Sequence, residues 1–164
     1  MLNIYEKCKK IKLVASDIDG VWTDGSMYYG ALGEELKRFS TYDGMAVELL
    51  RKARLDVVVL TGENSMAVAK RMEKLNVEHY YYSQTNKLDT MRQFVERYGI
   101  SLNEVAYIGD DVNDLELLSQ VGVSGMPCNS YILDRFLPDY ITVRPGGSGA
   151  FRDFVEFVLQ GKNI

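Results

Sequence analysis

Two aspartates one residue apart, Asp17 and Asp19, close the stretch Val14-Ala15-Ser16-Asp17-Ile18-Asp19-Gly20-Val21-Trp22-Thr23-Asp24. Carboxylates this close repel one another in a poorly hydrated site, and a bound cation or a shared proton relieves the repulsion. The mostly apolar run from Ile11 to Ala15 reads as a buried strand that ends at the pair. Side chains alternate along a strand, so Asp17 and Asp19 leave it on the same side. An Asp-x-Asp-Gly stretch alone is more often a solvated turn. A calcium loop of the EF-hand type does not fit: its glycine belongs at the sixth position and its glutamate at the twelfth. Here Gly20 is fourth and Tyr28 twelfth.

Further polar groups follow other apolar runs. Leu55 to Leu60 ends in Thr61-Gly62-Glu63-Asn64-Ser65, and Val105 to Ile108 ends in Gly109-Asp110-Asp111-Val112-Asn113-Asp114. Lys87 stands near the start of a predicted helix. Asp110 and Asp114, four apart, share a face if the turn is helical. With Asp17 they offer the hard oxygen ligands that suit Mg²⁺ bridging to a phosphate. Thr61 supplies a hydroxyl, the amides of Gly62 and Glu63 are expected to open a helix, and Lys87 adds a compact positive charge. This set can neutralise a dianionic phosphate beside an aspartate nucleophile. Asp17 would attack phosphorus, and Asp19 would protonate the leaving alcohol and then activate water.

To bring these groups together the chain must alternate strands with helices. Strands are predicted at 11–15, 55–60, 79–82, 105–108, 121–124 and 140–143. Helices are predicted from Gly44 to Arg54 behind an Asp43 cap, from the Thr61 loop to Leu75, over Asn86 to Tyr98, after Asp114 to Gln120, as a turn near Tyr131 to Phe136, and over Ala150 to Leu159. That alternation implies one α/β domain over residues 1–164, a parallel sheet covered on both faces. In such a sheet ligands bind beyond the carboxyl ends of the strands. Thr23 to Tyr29 and Glu34 to Ser40, split by Gly30-Ala31-Leu32-Gly33, read as a β-hairpin that packs either on its own domain or on another subunit.

Composition narrows the partners. The chain of 164 residues carries a net charge of −4 and 46% hydrophobic residues, a soluble globular balance that argues against a nucleic-acid partner. No run is long enough to span a bilayer, and Met1 to Lys10 lacks the apolar stretch of a secretory signal. Cys8 and Cys128, the two cysteines, are unlike a disulfide framework, and a reducing cytoplasm is expected.

The four motifs, in this order, resemble those of the haloacid dehalogenase superfamily of phosphohydrolases. Asp17-Ile18-Asp19-Gly20-Val21 is similar to its first motif, Thr61-Gly62 to its second, Lys87 to its third and Gly109-Asp110-Asp111-x-x-Asp114 to its fourth. The resemblance implies a three-layer Rossmann-like sheet with a hairpin flap at 23–40, no cap domain, Mg²⁺ as cofactor, and catalysis by Asp17 and Asp19. It implies phosphate contacts from Thr61, Gly62 and Lys87, and a metal held by Asp17, Asp19, Asp110 and Asp114. Asp19-Gly20-Val21-Trp22-Thr23-Asp24-Gly25 and Gly146-Gly147-Ser148-Gly149-Ala150-Phe151-Arg152 are similar to the capless subclass that acts on 3-deoxy-2-keto sugar acid phosphates. Its members are typically homotetramers in which each hairpin helps to close a neighbour's site. Glu63, where the eight-carbon octulosonate enzymes usually carry Arg, resembles the branch acting on nine-carbon acids, 2-keto-3-deoxynononate 9-phosphate and N-acetylneuraminate 9-phosphate. The eight-carbon 3-deoxy-D-manno-octulosonate 8-phosphate is the runner-up.

Arg71 and Lys74 resemble that branch's contacts to the substrate carboxylate, with Ala69 and Lys70 departing from its run of arginines. At ~1.5 Å rise per residue Lys74 lies roughly 16 Å along a helix from Glu63, so contact with one small substrate requires a reach across a subunit boundary. The plainer reading is that both cations solvate the surface. Thr41 is a further candidate contact to substrate, while His79 and Trp22 read as structural. A phospho-accepting receiver module, or a regulatory oligomerisation domain on the same fold, is the competing class. Receivers lack a general acid two residues after the nucleophile, and Asp19 favours turnover.

Overall fold

The computed structural model describes residues 3–164. After a short helix, α1 (Ile4–Lys10), the strands are β1 (Leu13–Ser16), β4 (Asp56–Leu60), β5 (His79–Tyr81), β6 (Val105–Ile108), β7 (Val123–Met126) and β8 (Tyr140–Ile141). They form one six-stranded sheet in the order β5-β4-β1-β6-β7-β8, and every pairing is parallel. Leu13-Val14-Ala15-Ser16 is buried throughout because both faces are covered. Val14 packs into a core with α2 (Thr41–Lys52), α3 (Met66–Leu75) and α6 (Ala150–Gly161), through Ala46, Leu50, Met72, Phe151 and Phe154. Leu13 and Ala15 face the opposite core, with Leu88, Met91 and Phe94 of α4 (Lys87–Tyr98) and Leu117 and Leu118 of α5 (Leu115–Leu118). The three-layer α/β sheet expected from strand–helix alternation is what forms.

β1 lies between β4 and β6. The chain leaves β1 for one side of the sheet and later returns to the other, which opens a crevice at the strands' carboxyl ends. Between β1 and α2 the chain inserts only the hairpin β2 (Tyr28–Gly30) and β3 (Gly33–Leu36), a separate antiparallel two-stranded sheet. Its strands are shorter than the predicted flanks, and Lys37 to Ser40 run on as irregular chain.

Several boundaries differ from the expectation, each for a local reason. Helix α2 begins at Thr41 and is capped by Ser40, whose hydroxyl accepts from the Tyr42 amide. Asp43 is not the cap. It is buried inside the helix and its Oδ1 accepts from the Arg152 amide at 3.0 Å, satisfying the start of α6, which has no side-chain cap of its own. β7 starts at Val123 rather than Val121, because the Val121 amide still closes α5 on the Leu117 carbonyl. β8 stops at Ile141, where the Asp153 carboxylate takes the Val143 and Arg144 amides. Residues 131–135 form turns rather than a regular helix.

Burial in the α2–α6 seam pushes the Asp43 carboxyl from 3.8 up to about 6, against the α6 amides and the attraction of Arg71. A carboxyl raised in the folded state stabilises the fold fully below its unfolded value and loses that contribution as pH rises through about 6. Asp43→Asn keeps the acceptor oxygen and removes the charge. Its unfolding free energy relative to the wild type should therefore rise by ~1–3 kcal/mol between about pH 4 and pH 7. Urea denaturation of both proteins at the two pH values reads the difference, and a constant difference would contradict the burial of the charge.

Candidate active site

The site forms where β1, β4 and β6 end. Asp17 follows β1 in the parity of Leu13 and Ala15, so it points toward the α4 side of the sheet. There Lys87, the first residue of α4, is 2% exposed, and its Nζ lies 2.9 Å from Asp17 Oδ2 and 2.7 Å from Asp114 Oδ1. Asn86 caps the helix by accepting from the Asp89 amide, which fixes where Lys87 enters. The second Asp17 oxygen accepts from the Ile18 amide at 2.7 Å. The chain then turns tightly, with the amides of Val21, Trp22 and Thr23 all meeting the Ile18 carbonyl. Gly20, at φ +81°, makes the turn possible and lets it approach β6: a Cβ there would lie 1.8 Å from Asp110 Oδ2. Trp22 is fully buried, stacks on Phe151 at 4.6 Å and donates to the Ser16 hydroxyl at 2.9 Å. It is structural, as expected.

Asp17, Asp110 and Asp114 each offer an oxygen within 4.8 Å of the others. They are not equivalent. Asp114 is fully buried, and its carboxylate accepts from the amides of Asp110 at 3.0 Å and Asp111 at 3.2 Å, from Lys87 and from the Tyr107 hydroxyl. Asp17 and Asp110 line the cleft, together with Asp19, Asp111, Thr61, Glu63 and the hairpin-side Met27, around ≈260 Å³. Burial and the neighbouring carboxylates of Asp114 and Asp17 push Asp17 to about 7 and Asp110 to about 8, despite Lys87. This carboxylate set is short of positive charge, and a hard divalent cation such as Mg²⁺ fits it. Lys87 itself stays charged: burial opposes its ammonium, but attraction from Asp17 and Asp114 outweighs that. A larger hollow of ≈350 Å³, among Arg51, Arg54, Asp56 and His79, lies toward the other ends of β4 and β5, away from this chemistry.

Thr61 is buried at the end of β4, and its hydroxyl accepts from the Glu63 amide at 3.3 Å. The expectation that the Gly62 and Glu63 amides open α3 fails. Ser65 caps that helix and Met66 begins it, so both amides belong to the preceding turn. Glu63 lines the cleft, whereas Arg71, Lys74 and Thr41 do not line the cleft of their own chain. Arg71 turns inward, donates to the Ser40 carbonyl at 3.1 Å and sits over the Phe39 ring. Lys74 and Thr41 are exposed. Sequence reasoning missed three contributors. Tyr107 looks like a core residue of an apolar strand. Ser130, which donates to the Asp110 carbonyl at 2.6 Å, carries no motif. Lys37, whose side chain is fully buried with its Nζ 2.6 Å from Asp19 Oδ1, reads as an ordinary hairpin flank.

Residues 31–122 match the family described as haloacid dehalogenase-like hydrolase, and the chain belongs to that family of hydrolases. Among its relatives is the 3-deoxy-D-manno-octulosonate 8-phosphate phosphatase of Salmonella typhi, 35% identical over 162 residues that cover 98% of this chain and 86% of the relative. That of Haemophilus influenzae is 32% identical over 159 residues, covering 97% and 88%. The crystal structure of the Moraxella catarrhalis phosphatase in complex with magnesium, phosphate and the eight-carbon acid superposes with a TM-score of 0.92, at 36% identity, over 98% of this chain and 92% of that one. The Yersinia pestis enzyme gives a TM-score of 0.92 at 31% identity, over 98% and 86%. The chain is therefore a phosphoric monoester hydrolase with Mg²⁺ as cofactor, and the receiver and regulatory readings fall away.

Lys87→Met would strand two buried carboxylates. In the presence of a chelator its unfolding free energy should drop by ~3–5 kcal/mol, measured by urea denaturation. Unchanged stability would mean that the pair is not held by this cation.

Proposed function

We propose that the chain removes the terminal phosphate of a 3-deoxy-2-ulosonic acid, with 3-deoxy-D-manno-octulosonate 8-phosphate as its substrate. The observation that carries the reading is Lys87 bridging Asp17 and Asp114 beside Asp110 at the carboxyl end of the sheet. The eight-carbon relatives, aligned over nearly the whole chain, support the choice of acid.

Asp17 attacks phosphorus in line and displaces the sugar hydroxyl, giving an aspartyl phosphate. Asp19 gives a proton to the departing oxygen and later takes one from the water that attacks the acyl phosphate at phosphorus, breaking the P–O bond to Asp17. Thr61, Gly62 and Lys87 hold phosphate oxygens, and Asp114 positions Lys87. Asp17, Asp110 and the backbone carbonyl of Asp19 would hold Mg²⁺, which would supply charge neutralisation for the dianionic phosphate. Self-association as a homotetramer belongs to the same reading. It is supported by the exposed Tyr28, Tyr29, Leu32 and Leu36 of the hairpin, and it would give Arg71, Lys74 and Thr41 a route to a neighbour's substrate. Free Cys8 and Cys128 suit a reducing cytoplasm.

A nine-carbon acid is the second reading. Glu63 favours it, since this acidic side chain lines the cleft where eight-carbon enzymes usually place Arg. Phosphate release from both acids, with and without Mg²⁺, separates the two. The eight-carbon ester should give the higher kcat/KM by about tenfold or more, which corresponds to ~1.4 kcal/mol. The reverse ratio moves the assignment to the nine-carbon acid, and no release from either ends both. Asp17→Asn should reduce turnover by at least ~10³-fold, because an amide cannot form the phosphoryl ester. Turnover that survives in the folded variant would remove the covalent route.

A further inference from the structure

The hairpin does more than border the cleft. Lys37, just after β3, reaches under it with a side chain that is fully buried. Its Nζ meets Asp19 Oδ1 at 2.6 Å and Glu34 Oε2 at 3.3 Å. Glu34 in turn accepts a hydrogen bond from the Ser65 hydroxyl at the start of α3. The Thr23 hydroxyl donates to the same Asp19 oxygen at 3.3 Å. Asp19 Oδ2 is different: it is buried and has no hydrogen-bond partner among the described residues. One oxygen of the carboxylate is thus pinned from two sides, while the other is left over, on a residue that lines the cleft.

A buried ion pair of this kind is weak evidence for stability, because desolvation opposes the Coulomb gain. Its cost is easier to understand if the geometry it fixes is used. Glu34 also keeps a carboxylate beside the ammonium whichever form Asp19 takes. Burial opposes the charge on Lys37, yet hydrogen bonds and attraction from Asp19 and Glu34 hold its ammonium above the ordinary lysine range.

We propose that Lys37 is a positioning residue for Asp19: by pinning Oδ1 it aims Oδ2 at the oxygen that leaves phosphorus, so that the hairpin and the general acid are set as one unit. In that step the Asp19 Oδ2–H bond breaks, the proton goes to the departing sugar oxygen as the P–O bond breaks, and Lys37 keeps all its protons. The proposal rests on the reading of Asp19 as the acid.

The test compares two esters, because only a poor leaving group needs the proton. For each protein kcat/KM is measured on the octulosonate 8-phosphate and on p-nitrophenyl phosphate, whose phenolate leaves without help. Asp19→Asn calibrates the effect: general acid–base catalysis contributes ~10²–10⁴-fold, and the loss should fall on the sugar ester alone. Lys37→Met should show the same selectivity, with a loss of ~30-fold or more on the sugar ester, a part of the general acid–base contribution because Asp19 itself remains, and under ~5-fold on the aryl ester. Lys37→Arg, which can remake the ion pair, should recover part of it. Equal losses on both esters in Lys37→Met overturn the proposal, since they assign Lys37 to the flap or to phosphate binding. If Asp19→Asn itself loses both esters equally, the acid role has failed, which is a different result. A Lys37→Met protein that does not melt cooperatively is replaced by Lys37→Gln, read in the same way.

Discussion

The structure depends on how negative charge is held at the carboxyl end of β1 and β6. Three aspartates offer oxygens within 4.8 Å of one another, and carboxylates so close cannot all stay ionised unless something positive stands among them. Lys87 is that charge within the chain. It bridges Asp17 and Asp114 and is almost wholly out of water. Burial, and then the deficit of one cation against three carboxylates, pushes Asp17 and Asp110 upward. Phosphate hydrolysis needs a nucleophile that keeps its charge without repelling its substrate, and this deficit is what makes a divalent cation welcome.

Much of the remaining fold serves to aim these groups. Parallel strands at adjacent positions deliver Asp17, Thr61 and Asp110 to one edge. The asparagine cap of α4 sets Lys87, and the Gly20 turn brings the loop after β1 against Asp110. Farther out, Asp43 ties α2 to the start of α6, and the loop before α6 returns to the turn after β1 through the Gly147 amide and the Val21 carbonyl. Within the fourth motif labour is divided. Asp110 meets the cleft, while Asp114 spends its oxygens on Lys87, Tyr107 and two amides.

The irregular segment that follows the hairpin holds a fully buried lysine side chain, that of Lys37. Tyr29 and Leu32 of the hairpin are exposed, while the side chain of Lys37, just after β3, is buried. Lys37 meets Asp19 at 2.6 Å, and the exposed hairpin side chains are apolar surface of the kind that marks contact with another protein.

The sequence by itself determined the α/β class, the strand ends where the polar clusters sit, and the common parity of Asp17 and Asp19. These follow from local rules: burial on both faces makes a strand uniformly apolar, the alternation of side chains fixes parity, and helices must intervene between parallel strands. The tertiary structure alone decided contacts between groups far apart in the chain. Nothing local predicts that Lys37 turns inward to Asp19, that Arg71 braces Ser40, or that Asp43 serves α6 while Ser40 caps α2. A long or charged side chain chooses its partner by which desolvated acceptor it can reach, and that choice exists only once the sheet, the helices and the hairpin are in place.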